Sequence, residues 1–406
     1  MPASLNLSIK LVEAAKINPV EGNAAGAFLT MASAGGLMFG IINIVGNFGT
    51  VFVDQAYWQR AIAAKPSSTV KGFLLGGACW FAIPFTLATT MGLTAIALDV
   101  DLTPAQVQMG LVVPAAATAL MGEIGAIMVL TMLFMAVTSA GSAELIAVSS
   151  LVTYDLYRTY KNPNATGKQL VKVSRITIVA FGIGMGGLAV VLLGMGLSLG
   201  FVYLAMGILI GSAVVPIALT ILWKRTNRVA ATGGAIIGLL ISTSTWVIVA
   251  ASLPEYGGVV DLASLGNNYS MLFANVAGII SGGLIAIIGS LAAKSTFDWK
   301  DLKDKITLVE MSAADSAKVT EDEETLKKAF KFSVRGGGIM TLVLIIFWPM
   351  PLIASGYVFD LGSYGIWVAI SVIWVSVASA FIIFMPLIQA RDAIAKVFRG
   401  KKAESA

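Results

Sequence analysis

Apolar residues gather in nine long stretches, near 27–53, 73–98, 121–151, 176–197, 201–223, 230–251, 271–293, 337–357 and 364–387. A helix needs roughly 20 apolar residues to cross about 30 Å of hydrocarbon, so each stretch reads as a transmembrane helix. Lys and Arg fill every second gap: Arg60, Lys65 and Lys71 after the first stretch, Arg158, Lys161, Lys168, Lys172 and Arg175 after the third, and Lys224, Arg225 and Arg228 after the fifth. Gaps 99–120, 198–200, 252–270 and 358–363 contain neither. Basic loops stay in the cytoplasm, so the pattern predicts an all-α integral membrane protein with its N-terminus outside and its C-terminus inside.

The predicted order is an extracellular segment at 1–26, a transmembrane core at 27–251, an extracellular loop and span at 252–293, a cytoplasmic loop at 294–335, two spans at 336–390 and a cytoplasmic tail at 391–406. Residues 1–26 lack the pattern of a signal peptide, so an outside start implies preceding spans, or else a first helix that inserts as a reverse anchor. The 99–120 gap is apolar but interrupted by Pro104 and Pro114, which suits a re-entrant or surface-lying outer helix. The 294–335 loop sets Glu321–Glu324 ahead of Lys327, Lys328 and Lys331, which fits a short amphipathic helix on the inner surface or an unstructured loop.

Composition agrees with a membrane protein: 57% hydrophobic and 12% charged residues. The chain has no His, which removes imidazole metal sites and Ser-His-Asp triads, and its one cysteine, Cys79, forms no internal disulfide. The net charge of +5 sits in the inner loops, where it suits anionic lipid. Gly36/Gly40, Gly182/Gly186 and Gly234/Gly238 have the small-xxx-small spacing that lets helices approach closely in a bilayer. No nucleophile–base pair, metal-ligand spacing or phosphate loop supports an enzyme, and no cofactor is expected.

Candidate chemistry lies inside the spans. Gly46-Asn47-Phe48-Gly49 interrupts the first, where an unwound helix would expose backbone groups to a solute; a close-packing face with Asn47 bonded to a neighbour fits equally. Asp54, close to Tyr57, Trp58 and Arg60, reads as part of an inner gate or wet vestibule. The third span carries Glu144, a carboxyl inside an apolar helix that reads as a proton acceptor or as a neutral interhelical hydrogen-bonding group. At about 100° per residue Glu144 shares a face with Ala140, while Ser139 points about 140° away. Tyr203 in the fifth span lines a path or belongs to the aromatic belt.

The run from Asn43 through Gly46-Asn47-Phe48-Gly49-Thr50 to Asp54-Gln55, with Tyr57-Trp58, resembles the urea active transporters, a branch of the sodium:solute symporter family. So do Cys79-Trp80-Phe81-Ala82-Ile83-Pro84, Met135 to Leu145 with Thr153-Tyr154-Asp155, and Phe347-Trp348-Pro349-Met350-Pro351. The resemblance implies a LeuT-type fold of two inverted five-helix repeats, of which this chain would hold the second repeat and peripheral C-terminal helices and lack the first. It implies symport of urea with protons by alternating access. The alternatives are a sodium-coupled symporter of another small polar solute, and a non-transporting fragment or regulatory membrane partner. Carried over position by position, Asn47, Trp80 and Tyr203 would contact substrate and Thr50 would gate it, within a helix broken at Gly46 and Gly49. The related ion site uses a carbonyl at the position of Ala136 and two hydroxyls; Ser139 keeps one and Ala140 lacks the other, which with Glu144 nearby favours a proton over sodium.

Overall fold

The computed structural model describes residues 3–293, 321–391 and 395. Most of the 294–335 loop and of the tail lies outside the described residues, and the amphipathic or unstructured reading of that loop goes with it, save for its last stretch. Among the described residues nine helices are long and apolar enough to cross a membrane, matching the nine predicted stretches one for one.

The chain starts with α1 (Ala3–Ile17), then α2 (Ala34–Val53) and the short α3 (Gln55–Ile62). Next come α4 (Pro66–Ala97), the short α5 (Val112–Met121), α6 (Glu123–Ser150), which runs on to Lys161 as a wider π-type coil, and α7 (Gly167–Gly194). The fifth span is divided into α8 (Leu199–Ile210) and α9 (Val214–Leu222) by a tight turn at Gly211–Ala213. After these come α10 (Arg228–Ser252), α11 (Asn268–Ala292), α12 (Glu323–Thr341), α13 (Pro349–Ala354) and α14 (Leu361–Gln389).

Side chains that satisfy exposed backbone groups fix the starts of these helices. Ser33 accepts from Gly36 N–H at 3.1 Å and Asn227 from Ala230 N–H at 2.8 Å. At Gly122, φ is 63°, a conformation open to glycine that folds α5 back on α6. α12 starts within the acidic run, where Glu323–Lys327 and Glu324–Lys328 pair along one exposed face.

The helices pack in two groups. In the first, α2, α8, α10 and α11 close on Ile42, Ala205, Ile208, Met271 and Ala274, all buried. Small residues let the backbones meet: Gly238 faces Gly282, and Ser242 Oγ donates to Ala274 O at 2.8 Å. Of the three predicted glycine pairs Gly234/Gly238 forms this crossing, whereas Gly40 and Gly186 face open space. In the second, α1 and residues 28–29 pack on α4 and α14 through Leu11, Leu29, Ala97 and Tyr364. Beside them Phe81 and Phe85 of α4 meet Trp348, Trp367 and Trp374 in a cluster with ring centroids 5.2–6.4 Å apart.

The break predicted at Gly46 and Gly49 lies elsewhere. α2 is regular through both glycines, and the chain leaves helical geometry at Asp54, with φ −75° and ψ 120°. Both glycines face α8: Gly46 meets Met206 and the Gly207 backbone, and a Cβ at Gly49 would come within 2.7 Å of Ile210. They serve close packing, and Asp54 makes the break by capping the next helix, its Oδ1 accepting from Ala56 N–H at 2.7 Å.

Candidate functional site

The elbow at Asp54 separates α3 from α2, and Trp58 Nε1 clamps it by donating to Phe52 O at 2.9 Å. Between α2, α3 and the first half of α4 lies a cavity of about 760 Å3. Asn47 and Thr50 line it from α2, Tyr57 and Arg60 from α3, and Ser68, Thr69 and Trp80 from α4. Gly72, Phe73, Gly76 and Gly77 form the rest of the α4 wall, and the space above the three glycines is open. Three of the four predicted substrate residues thus share one cavity.

The fourth, Tyr203, joins them through hydrogen bonding. Its hydroxyl donates to Asn43 Oδ1 at 2.5 Å and lies 3.4 Å from Asn47 Oδ1. Asn43 in turn donates to Phe39 O at 2.9 Å, so this phenol and two amides form a polar strip along α2. Thr50 Oγ1 donates to Gly46 O at 3.0 Å, which holds the hydroxyl against its own helix. Trp80 is 64% exposed and lines the cavity.

The predicted ion residues divide. Ala136 and Ser139 lie on an exposed stretch of α6 and are absent from the cavity lining. Glu144 is half-buried, because α3 packs on α6 there through Ala56, Ala143 and Ala147, with Gln59 Nε2 donating to Ala147 O at 3.3 Å. That packing sets Glu144, next to Ala143, beside the start of α3, where Asp54 precedes Ala56 by two residues and the cavity-lining Arg60 follows Ala56 by about one helical turn. Tyr57 and Arg60, read with Asp54 as a gate or vestibule, line the cavity, and Asn43 is a site residue that the sequence reading does not single out. Asn43 precedes Asn47 by one helical turn, the spacing that places both on one face.

The family model for sodium:solute symporters matches residues 5–239, more than half of the chain. The chain belongs to the sodium:solute symporter family. That family is one of membrane transporters of the LeuT-type fold. It is 52% identical to the urea-proton symporter DUR3 of Oryza sativa subsp. japonica over 94% of its own length and 52% of that protein. It is 41% identical to the probable urea active transporter 1 of Schizosaccharomyces pombe, over 95% of the chain and 59% of the relative. With the urea active transporter of Saccharomyces cerevisiae it shares 34% identity, over 96% of the chain and 62% of the relative. The chain therefore spans about half to three-fifths of the length of the curated relatives it matches. No solved structure matches it significantly.

For a member of this family the site has a definite chemical character. Amide and hydroxyl groups of Asn47, Ser68 and Thr69 supply both donors and acceptors, Trp80 supplies an aromatic ring, and Arg60 supplies charge from α3. Such a lining suits a small neutral polar solute.

Proposed function

We propose that this protein carries urea across the plasma membrane together with protons, by alternating access. The observation that carries the reading is the 52% identity to a urea-proton symporter along nearly the whole chain. The cavity supports it: urea is planar and neutral with both donors and acceptors, and Asn47, Thr50 and Trp80 offer an amide, a gating hydroxyl and an aromatic wall. Tyr203 orients Asn43 and Asn47 from the side. In this reading the chain corresponds to the second inverted repeat and the helices after it, with the N-terminus outside and the C-terminus cytoplasmic, as the basic loops imply. Ala136 and Ser139 form the remnant of an ion site with one hydroxyl fewer than a sodium cage needs, and Glu144 takes the proton.

The test is uptake of labelled urea by cells lacking their own transporter and expressing the full reading frame, at acidic and neutral external pH, with and without sodium. Acid-stimulated, sodium-independent uptake is expected. Sodium-dependent uptake would replace the proton reading, and no urea uptake by protein that reaches the membrane would remove urea altogether.

A further inference from the structure

Glu144 does not stand alone. The α3–α6 contact through Ala56, Ala143 and Ala147 brings the Asp54-capped start of α3 beside it, and Arg60, one turn and a half along α3, lines the urea cavity. Among the described residues the other helices packed on α6 bring no further charge to this level: α5 carries no titratable side chain, and α7 carries none between Arg175 and its end at Gly194. Gly182 of α7 packs on Leu145, next to Glu144. On α6 itself Glu123 lies about six turns toward the outer end, and Tyr154, Asp155 and Arg158 lie about three to four turns toward the inner one. Tyr57 is the remaining titratable group on this part of α3, and it faces the cavity.

The charges add up simply. Two carboxylates and one guanidinium carry −1, and one bound proton brings the group to zero, the favoured state beside a hydrocarbon layer. We propose that Asp54 and Glu144 hold the coupling proton between them, and that Arg60 transmits its presence to the cavity. This rests on the urea–proton reading above and names the residues that would make it work.

Asp54 is placed to convert proton binding into motion. Its carboxylate caps α3 at the elbow by accepting from Ala56 N–H at 2.7 Å. A negative charge at a helix N-terminus stabilises that end, so a proton arriving at Asp54 loosens the elbow. It also removes the negative charge that draws Arg60 toward the pair. Arg60 and Tyr57 ride on α3, so a shift of this helix changes the inner wall of the cavity directly. Losing the proton to the cytoplasm restores the cap and the pull on Arg60.

The full-length protein, with variants Glu144→Gln, Asp54→Asn and the exchange Asp54→Glu with Glu144→Asp, tests this with two readouts in the same cells. One is stimulation of urea uptake by external acid; the other is exchange of labelled for unlabelled urea at equal pH on both sides. Both amide variants are expected to lose acid stimulation yet keep exchange, and the exchange of the two carboxyls to keep both. Should the amide variants not reach the membrane, the swapped protein decides: retained stimulation supports the pair, and lost stimulation with intact exchange overturns it. Acid stimulation that survives in either amide variant also overturns the pair while leaving the urea–proton reading in place. A native protein that exchanges urea but shows no acid stimulation overturns that reading and the pair with it.

Discussion

Gly46 and Gly207 face one another where α2 crosses α8, and a single methyl group should have opposite consequences at the two positions. A Cβ on Gly207 would fall onto Asn275 Oδ1 and within 3.1 Å of Gly46 N and Cα, both backbone atoms that have no rotamer to yield. Asn275 is fully buried and donates to Met271 O at 2.8 Å and to Leu204 O at 3.2 Å, so displacing it weakens those bonds too. Overpacking costs about 1–3 kcal/mol and a weakened hydrogen bond about 0.5–1.5 kcal/mol, against a helix-propensity gain of about 1 kcal/mol. The net loss is about 2 kcal/mol, close to a thirtyfold shift toward unfolding. A Cβ on Gly46 would meet Met206 Cε at 3.6 Å and Gly207 N at 3.9 Å, ordinary contacts, so Gly46→Ala should be neutral or slightly stabilising. Thermal denaturation of the detergent-solubilised protein, followed by the monodisperse fraction that survives heating, reads both. Equal destabilisation by the two variants would refute the crossing geometry. A Gly46→Ala protein that melts normally but has lost urea transport would show that this glycine must unwind after all.

Three further outcomes are expected. Tyr203→Phe removes the hydroxyl that donates to Asn43 at 2.5 Å, and a bond of about 1 kcal/mol predicts about a fivefold rise in the urea concentration that half-saturates uptake, with protein abundance unchanged. Phe85→Leu breaks ring contacts to Trp348, Trp367 and Trp374, each worth about 0.5–1.5 kcal/mol, and should lower the melting temperature and redshift tryptophan emission; unchanged emission would argue against the cluster. The backbone N–H of Ser363 holds the Asp360 carboxyl below its ordinary value of 3.8, so its cap on α14 is fully present above that pH and is lost as the pH falls further; hydrogen exchange at the first turn of α14 should accelerate there, and Asp360→Asn should abolish the pH dependence.

The spans were legible because length and hydropathy are properties of a single segment: Lys and Arg bound each one, and no distant contact is needed to find it. The helix break was harder, since two local signals competed within eight residues. Glycines at 46 and 49 lower helix propensity, but a neighbouring helix that fits against a glycine face favours keeping the helix intact, and that neighbour, Gly207, lies far along the chain. Asp54 carried the stronger signal, an acidic residue positioned to cap α3, and its place near Arg60 read as a gate. Long-range partners were invisible for a different reason. Trp348, Trp367 and Trp374 show nothing locally that assigns them to Phe81 and Phe85 over 260 residues earlier, because an aromatic residue in an apolar span fits lipid as well as protein.

Glu144 shows where the boundary lies. A carboxyl in an apolar helix advertises itself, because leaving it charged there is costly, and the sequence therefore marks the residue without marking its partner. The proposed partner depends on small residues: Ala56, Ala143 and Ala147 let α3 pack on α6, which brings the capping aspartate at the elbow to the side of the glutamate. Replacing Ala147 with a larger residue would test that dependence without touching an acidic group. If α3 is wedged away, acid stimulation of urea uptake should fall, the same outcome expected of Glu144→Gln, whereas a proton site built from Glu144 alone would keep it.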